Sequence, residues 1–240
     1  MNLYDSLIRE CLDLVGDTAP RTLSPAVNEP LWQTEEEQRL IFQKDMAYEL
    51  GGNGLPAVSA LAYTSQPAGG DKLLLCGPDL PDLNADSPYA RLTVLHIDDG
   101  DWQDDQQAYR LLRQMEYTRY HVYPRGYMMR ISTSAGREPV RVGRKALQEG
   151  LNFTRVGQLF LHAYHQHPQV QAVTMLFVTA PAFPYDLLAE KAAAMEAVTS
   201  SLDQIFNRLV MDCRSCSLKP VCDEVEGLRE LHFNFANKKP

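Results

Sequence analysis

The stretch TRVGQLFLHAYHQHPQVQAVTMLFVT, residues 154–179, sets a helix directly ahead of a strand. The first half reads as a helix over 154–166, Pro168 stops it, and the apolar, β-branched run that follows reads as a strand over 170–179. Downstream, 185–210 reads as one long helix; upstream, Gly150 separates a short helix over 143–149. Arg91 to Ile97 is a strong strand, and two more are read at 57–64 and 72–76, divided by Pro67 and Gly69-Gly70. A helix is expected over 104–120, with short strands near 121–123 and 127–133. At the start, Leu3, Leu7, Ile8, Cys11, Leu12 and Val15 recur at spacings of three and four, an amphipathic helix that ends near Gly16. Thr34 followed by Glu35, Glu36 and Glu37 resembles a helix N-terminus, so a second helix is expected from there to about Leu50, stopped by Gly51-Gly52-Asn53-Gly54. Helices alternating with strands give an α+β or α/β fold, a mixed sheet with packed helices, followed by a C-terminal metal-binding segment. Three parts are expected: a helical region with short strands over 1–84, an α+β domain over 85–210 and a cysteine segment over 211–240.

The 240 residues are 45% hydrophobic and 22% charged, ordinary for a chain with its own core. No run approaches the roughly 18 apolar residues that a membrane span needs, and Met1 to Glu10 lacks an apolar core of signal-peptide length, so a cytoplasmic protein is expected. A net charge of −8 disfavours nucleic acid as a partner. One stretch reverses that sign. Arg125, Arg130, Arg137, Arg141, Arg144, Lys145 and Arg155 stand against two glutamates, and guanidinium groups of this kind suit bidentate contact with phosphate. The alternative is a basic face that pairs with the acidic remainder. His162, His165 and His167 cluster at a helix end, but no carboxylate follows them at ligand spacing.

Three of the five cysteines fall within ten residues, Cys213-Arg-Ser-Cys216-Ser-Leu-Lys-Pro-Val-Cys222, with the spacing C-x2-C-x5-C. In C-x2-C two thiols can point into one concavity while the intervening amides turn toward cluster sulfides. Pro220 stiffens the approach to the third cysteine. Cys11 and Cys76 stand alone in apolar settings, so the pattern belongs to metal binding in a reducing compartment more than to a disulfide framework. An iron-sulfur cluster tolerates a fourth ligand that is not cysteine, whereas structural zinc normally takes four protein ligands; zinc stays open as the alternative. His232 is the candidate fourth ligand. A continuous helix from Cys222 would carry it about 13–15 Å away, so ligation requires a break at Gly227.

With these motifs the chain resembles the acetyl-CoA synthase (beta) subunit of the carbon monoxide dehydrogenase/acetyl-CoA synthase complex. The similarity runs from about Ala85 to Cys222, through Arg91 to Ile97, the segment VRVGRKALQEGLNF from Val140 to Phe153, Val156 to Tyr164, and Ala172 to Thr179. In that family the region is a middle α+β domain ending in the first cysteines of a nickel-iron-sulfur centre, spaced C-x2-C-x8-C-x9-C. The resemblance matches Cys213, Cys216 and Cys222 to the first three, with a shorter gap before the third and His232 at the fourth position. The family's Cys-Gly-Cys nickel site has no counterpart in these residues. The resemblance implies a [4Fe-4S]-type cluster in anaerobic metabolism and, through an arginine-rich cavity, coenzyme A as a ligand of Arg125, Arg137, Arg141 and Arg144. The expected role is accessory, in electron transfer or docking to a protein partner of C1 or corrinoid metabolism, and not catalytic in the isolated chain. The alternatives are an acyl- or methyl-transfer enzyme completed by another subunit, and a zinc-stabilised interaction module.

Overall fold

The computed structural model describes residues 3–16, 18–25, 29–98, 105–130 and 136–206. Its centre is a five-stranded sheet of β1 (Arg21–Thr22), β3 (Ala57–Thr64), β4 (Lys72–Cys76), β5 (Tyr89–Ile97) and β8 (Val170–Val178), in the order β1-β4-β8-β5-β3. The sheet is mixed. β3 runs parallel to β5 and β4 parallel to β8, while β5 and β8 pair antiparallel. Every residue of β3 and all but His96 of β5 are buried, which explains why both read as nearly unbroken apolar runs. The sheet takes β3 and β4 from before residue 84 and β5 and β8 from after it, and their side chains enter one core.

Five helices are present among the described residues. α1 (Asp5–Gly16) buries Ile8, Cys11 and Val15 and packs on β3 and on α5 (Tyr185–Phe206). α2 (Asp105–Tyr120) lies against α5 and against α4 (Phe153–Tyr164), which covers β4 and β8. The Asn152 side chain accepts a hydrogen bond from Arg155 N at 2.9 Å and so caps α4, satisfying one of the amides that a helix start leaves open. α3 (Arg144–Gln148) is a single short turn of helix. No described helix is long and apolar enough to cross a membrane.

A second sheet joins β2 (Met46–Leu50), β7 (Val140–Gly143) and β6 (Tyr127–Met129) in that order, all antiparallel. It corrects the expected helix over 34–50. Thr34 bridges Pro124, Gln38 Nε2 donates to the Met129 carbonyl, and Met46–Leu50 pairs with β7. The acids at 35–37 are a local helix signal. Long-range pairing overrides it, and Tyr48 and Leu50, two apart, are the buried positions of a strand. Residues 121–123, expected as a strand, form no ladder.

Residues 136–138 connect the two sheets. Ser59 N donates to Gly136 O at 2.7 Å and Glu138 N to Ala57 O at 3.1 Å, so this segment covers the outer edge of β3 before the chain enters β7. Glu138 meets Arg91 at the centre of β5, Oε1 to Nη2, at 2.7 Å. Both side chains are almost wholly enclosed, with 2% and 3% exposure. The Arg91 guanidinium lies 4.3 Å from the Phe160 ring centroid of α4 and also donates to the Arg119 carbonyl of α2 at 3.3 Å. Burial alone would lower the Arg91 pKa, but Glu138 together with Tyr89, Tyr127 and Tyr164 more than offsets it and the group stays cationic.

Glu138→Ala is expected to cost about 3–5 kcal/mol of unfolding free energy, because it leaves Arg91 charged and unpaired in the core. Glu138→Leu combined with Arg91→Met should recover most of that loss in chemical denaturation. A double variant no more stable than the single one would show that the charges themselves are needed.

Candidate functional site

Cys213, Cys216, Cys222 and His232 lie outside the described residues. The two other cysteines are sequestered. Cys11 is completely buried and its thiol is pushed up to about 12 by burial, with the nearby Glu10 charge adding to it. Cys76 is 2% exposed, its Sγ lies 3.0 Å from Thr18 Oγ1, and burial raises its pKa as well. Metal-binding cysteine is the deprotonated thiolate, so neither thiol is prepared to be a ligand.

The four arginines expected to form an anion site are placed separately. Arg137 donates to the carbonyls of Gly51 and Leu55, holding the turn between β2 and β3. Arg141 donates to Ile41 O at 3.1 Å and Arg144 to Met46 O at 3.1 Å, and these bonds fix the segment before β2 and the first residue of β2. Arg125 pairs with Glu149 and lies over the Trp32 ring, whose Nε1 donates to the Arg125 carbonyl. Other members of the basic stretch are paired too: Arg130 with Glu49, and Arg155 with Glu29 at 2.7 Å. Much of the sequence's local positive charge is thus used inside the fold.

Arg125 does line a cleft of about 300 Å³ between residues 35–45 and the surface made by β6, β7 and α3. Arg39, Arg125 and Lys145 bring three positive charges to it; Glu35, Asp45 and Glu149 bring three negative ones. Leu40, Ile41, Tyr123 and Met128 supply apolar wall. A phosphate there would face as many carboxylates as cations.

The histidines diverge. His165 Nε2 reaches the Asp71 carboxylate at 2.9 Å, a partner from the loop before β4 that no local spacing could reveal. His167 Nε2 lies 3.0 Å from Thr118 Oγ1, and burial lowers its pKa. His162 joins neither, and no group of three metal-ligating side chains is present among the described residues.

A second cleft, about 520 Å³, runs between α2 and α5, with Tyr117, Tyr120, His121, Thr199 and Ser200 among its walls. Beneath it Arg119, 3% exposed, donates to Ser59 O at 2.9 Å and meets Glu116 at 3.6 Å and Glu196 at 3.4 Å through one nitrogen, Nη1. Glu116 also accepts from Tyr63 Oη at 3.2 Å. Burial raises the Glu116 pKa; the Arg119 charge opposes this and the Glu196 charge adds to it. Tyr120 is pushed up to about 12, chiefly by burial. None of these groups stands out in the sequence. The available signal is Arg91 itself, a charge within an apolar strand, which requires a buried acid elsewhere in the chain.

No protein-family model matches this chain, and no curated protein matches it.

The raised pKa of Glu116 has a definite sign for stability. A carboxyl whose folded pKa lies above its unfolded value contributes fully below the unfolded value, here near 4.5, and loses that contribution as pH rises through the folded one. Glu116→Gln mimics the protonated form. Its stability should therefore match that of the unaltered protein near pH 4 and exceed it near pH 8. Between the unfolded and the folded pKa the difference should grow by about 1.4 kcal/mol for each pH step of one, and then level off. A variant less stable than the parent at pH 8 would mean that the ionised carboxylate is the favoured form.

Proposed function

We propose that this chain is an iron-sulfur-binding protein, in which Cys213, Cys216 and Cys222 hold the cluster and the α/β body serves as its mount. The observation that carries the reading is the C-x2-C-x5-C spacing. The sequestration of Cys11 and Cys76 supports it from the other side, since it removes the two other cysteines as ligands. Three soft thiolates with no fourth cysteine suit a cluster that accepts a different ligand on one iron better than they suit structural zinc. His232 is the candidate for that place within the chain. Such a cluster supplies one-electron transfer, and an iron lacking a thiolate is open to an outside ligand.

The resemblance to the middle domain of acetyl-CoA synthase supports a role beside that chemistry. We place the protein as an accessory or electron-transfer component docking to a partner of C1 or corrinoid metabolism. The same triplet closed by a fourth ligand around zinc would give an interaction module without redox function, and metal analysis separates the two.

Protein purified anaerobically from iron-replete cells should contain iron and acid-labile sulfide and absorb near 400 nm. Cys213→Ser, Cys216→Ser and Cys222→Ser should each remove most of both. Colourless protein with one zinc per chain under those conditions would replace this reading with the zinc module.

A further inference from the structure

The cleft beside β6, β7 and α3 has fixed walls and an unusual balance of charge. Residues 35–45 have no regular structure, yet Ile41 N contacts Met128 Sδ at 3.1 Å, Arg141 holds Ile41 O, and Arg144 N donates to Asp45 O at 3.0 Å. The wall is therefore pinned by long-range contacts at several points. Opposite it, α3 presents Lys145, 84% exposed, whose partner among the described residues is Glu149 at 4.0 Å. Arg39, 78% exposed, reaches Glu35 at 3.6 Å. Both are long, solvated pairs of the kind that contribute little to stability, so a ligand can exchange with them cheaply. The Asp45 side chain is exposed and makes no hydrogen bond or ion pair among the described residues.

A polyanion gains nothing net in this cleft, because the three cations are matched by three carboxylates. A ligand with both signs on neighbouring atoms finds a partner for each. Its carboxylate can meet Lys145, and its ammonium can meet Asp45. The apolar wall of Leu40, Ile41 and Met128 remains for a side chain. At about 300 Å³ the cleft stands at the lower end of small-molecule sites. We propose that this cleft binds a small zwitterion with adjacent ammonium and carboxylate groups, the chemistry of a free α-amino acid with an apolar side chain. The proposal depends on the cleft alone and is independent of the iron-sulfur reading.

The test is isothermal titration of the full chain with the twenty L-amino acids, with coenzyme A, and with inorganic phosphate. Leucine or another apolar amino acid should bind at millimolar concentration or below. Its amide, which keeps only the positive charge, and the corresponding deaminated acid, which keeps only the negative one, should each bind at least about tenfold more weakly. Asp45→Asn and Lys145→Gln, both on exposed side chains, should weaken binding by a similar factor without changing the melting temperature of the free protein. Binding of coenzyme A or phosphate with none of the amino acids would overturn the proposal in favour of an anion site. Absence of binding by all twenty amino acids at millimolar concentration would overturn it outright, as would affinity left unchanged by both variants.

Discussion

The contact between Arg91 and Glu138 is the constraint on which the arrangement of the two sheets depends. Enclosing either charge alone would cost several kcal/mol, so the strand that carries Arg91 folds stably only when residues 136–138 bring the glutamate to it. That requirement fixes where the chain crosses from the large sheet to the small one. The guanidinium also rests on Phe160 of α4 and donates to a carbonyl at the end of α2, so one side chain positions β5, α2, α4 and the crossing segment together. Arg119 continues the pattern between β3, α2 and α5. Hydroxyl contact between Tyr89 and Tyr127 at 2.6 Å closes the join between β5 and β6.

Two clefts follow from this join. Fixing β6 and β7 against the main sheet leaves residues 35–45 to cross the small sheet as irregular chain, and the cleft with balanced charge lies beneath them. Docking α2 against α5 over the buried Arg119 leaves the other, where burial raises the pKa of Glu116. Arginines that would make a basic patch in an extended chain are instead turned onto backbone carbonyls and glutamates. An arginine bound to a carbonyl is a clamp, and most of the local positive charge is spent on clamping.

How much of the fold is legible in the sequence depends on whether the signal is local. The strands 57–64, 72–76 and 91–97 can be read because each is an apolar run bounded by turn residues. Helix α4 and strand β8 can be read because a change of period and Pro168 separate them. β2 passes for helix because Glu35, Glu36 and Glu37 imitate a helix start, and its true partner β7 lies about ninety residues away. β7 itself is four residues long, too short for a period to show. At the candidate sites, residue type is legible and partnership is not: nothing near Arg137 announces the Gly51 carbonyl, and nothing near His165 announces Asp71. The proposed role of the cysteine triplet rests on spacing alone, which is entirely local.

The proposed function assigns the metal to that triplet and assigns the core cysteines no part in it. The most direct measurement is iron and acid-labile sulfide per chain in a Cys11→Ala, Cys76→Ala double variant purified anaerobically beside the unaltered protein. Equal iron and sulfide in the two proteins is the expected result. Loss of both from a double variant whose far-ultraviolet circular dichroism matches the parent would contradict it, and would make a core cysteine a ligand.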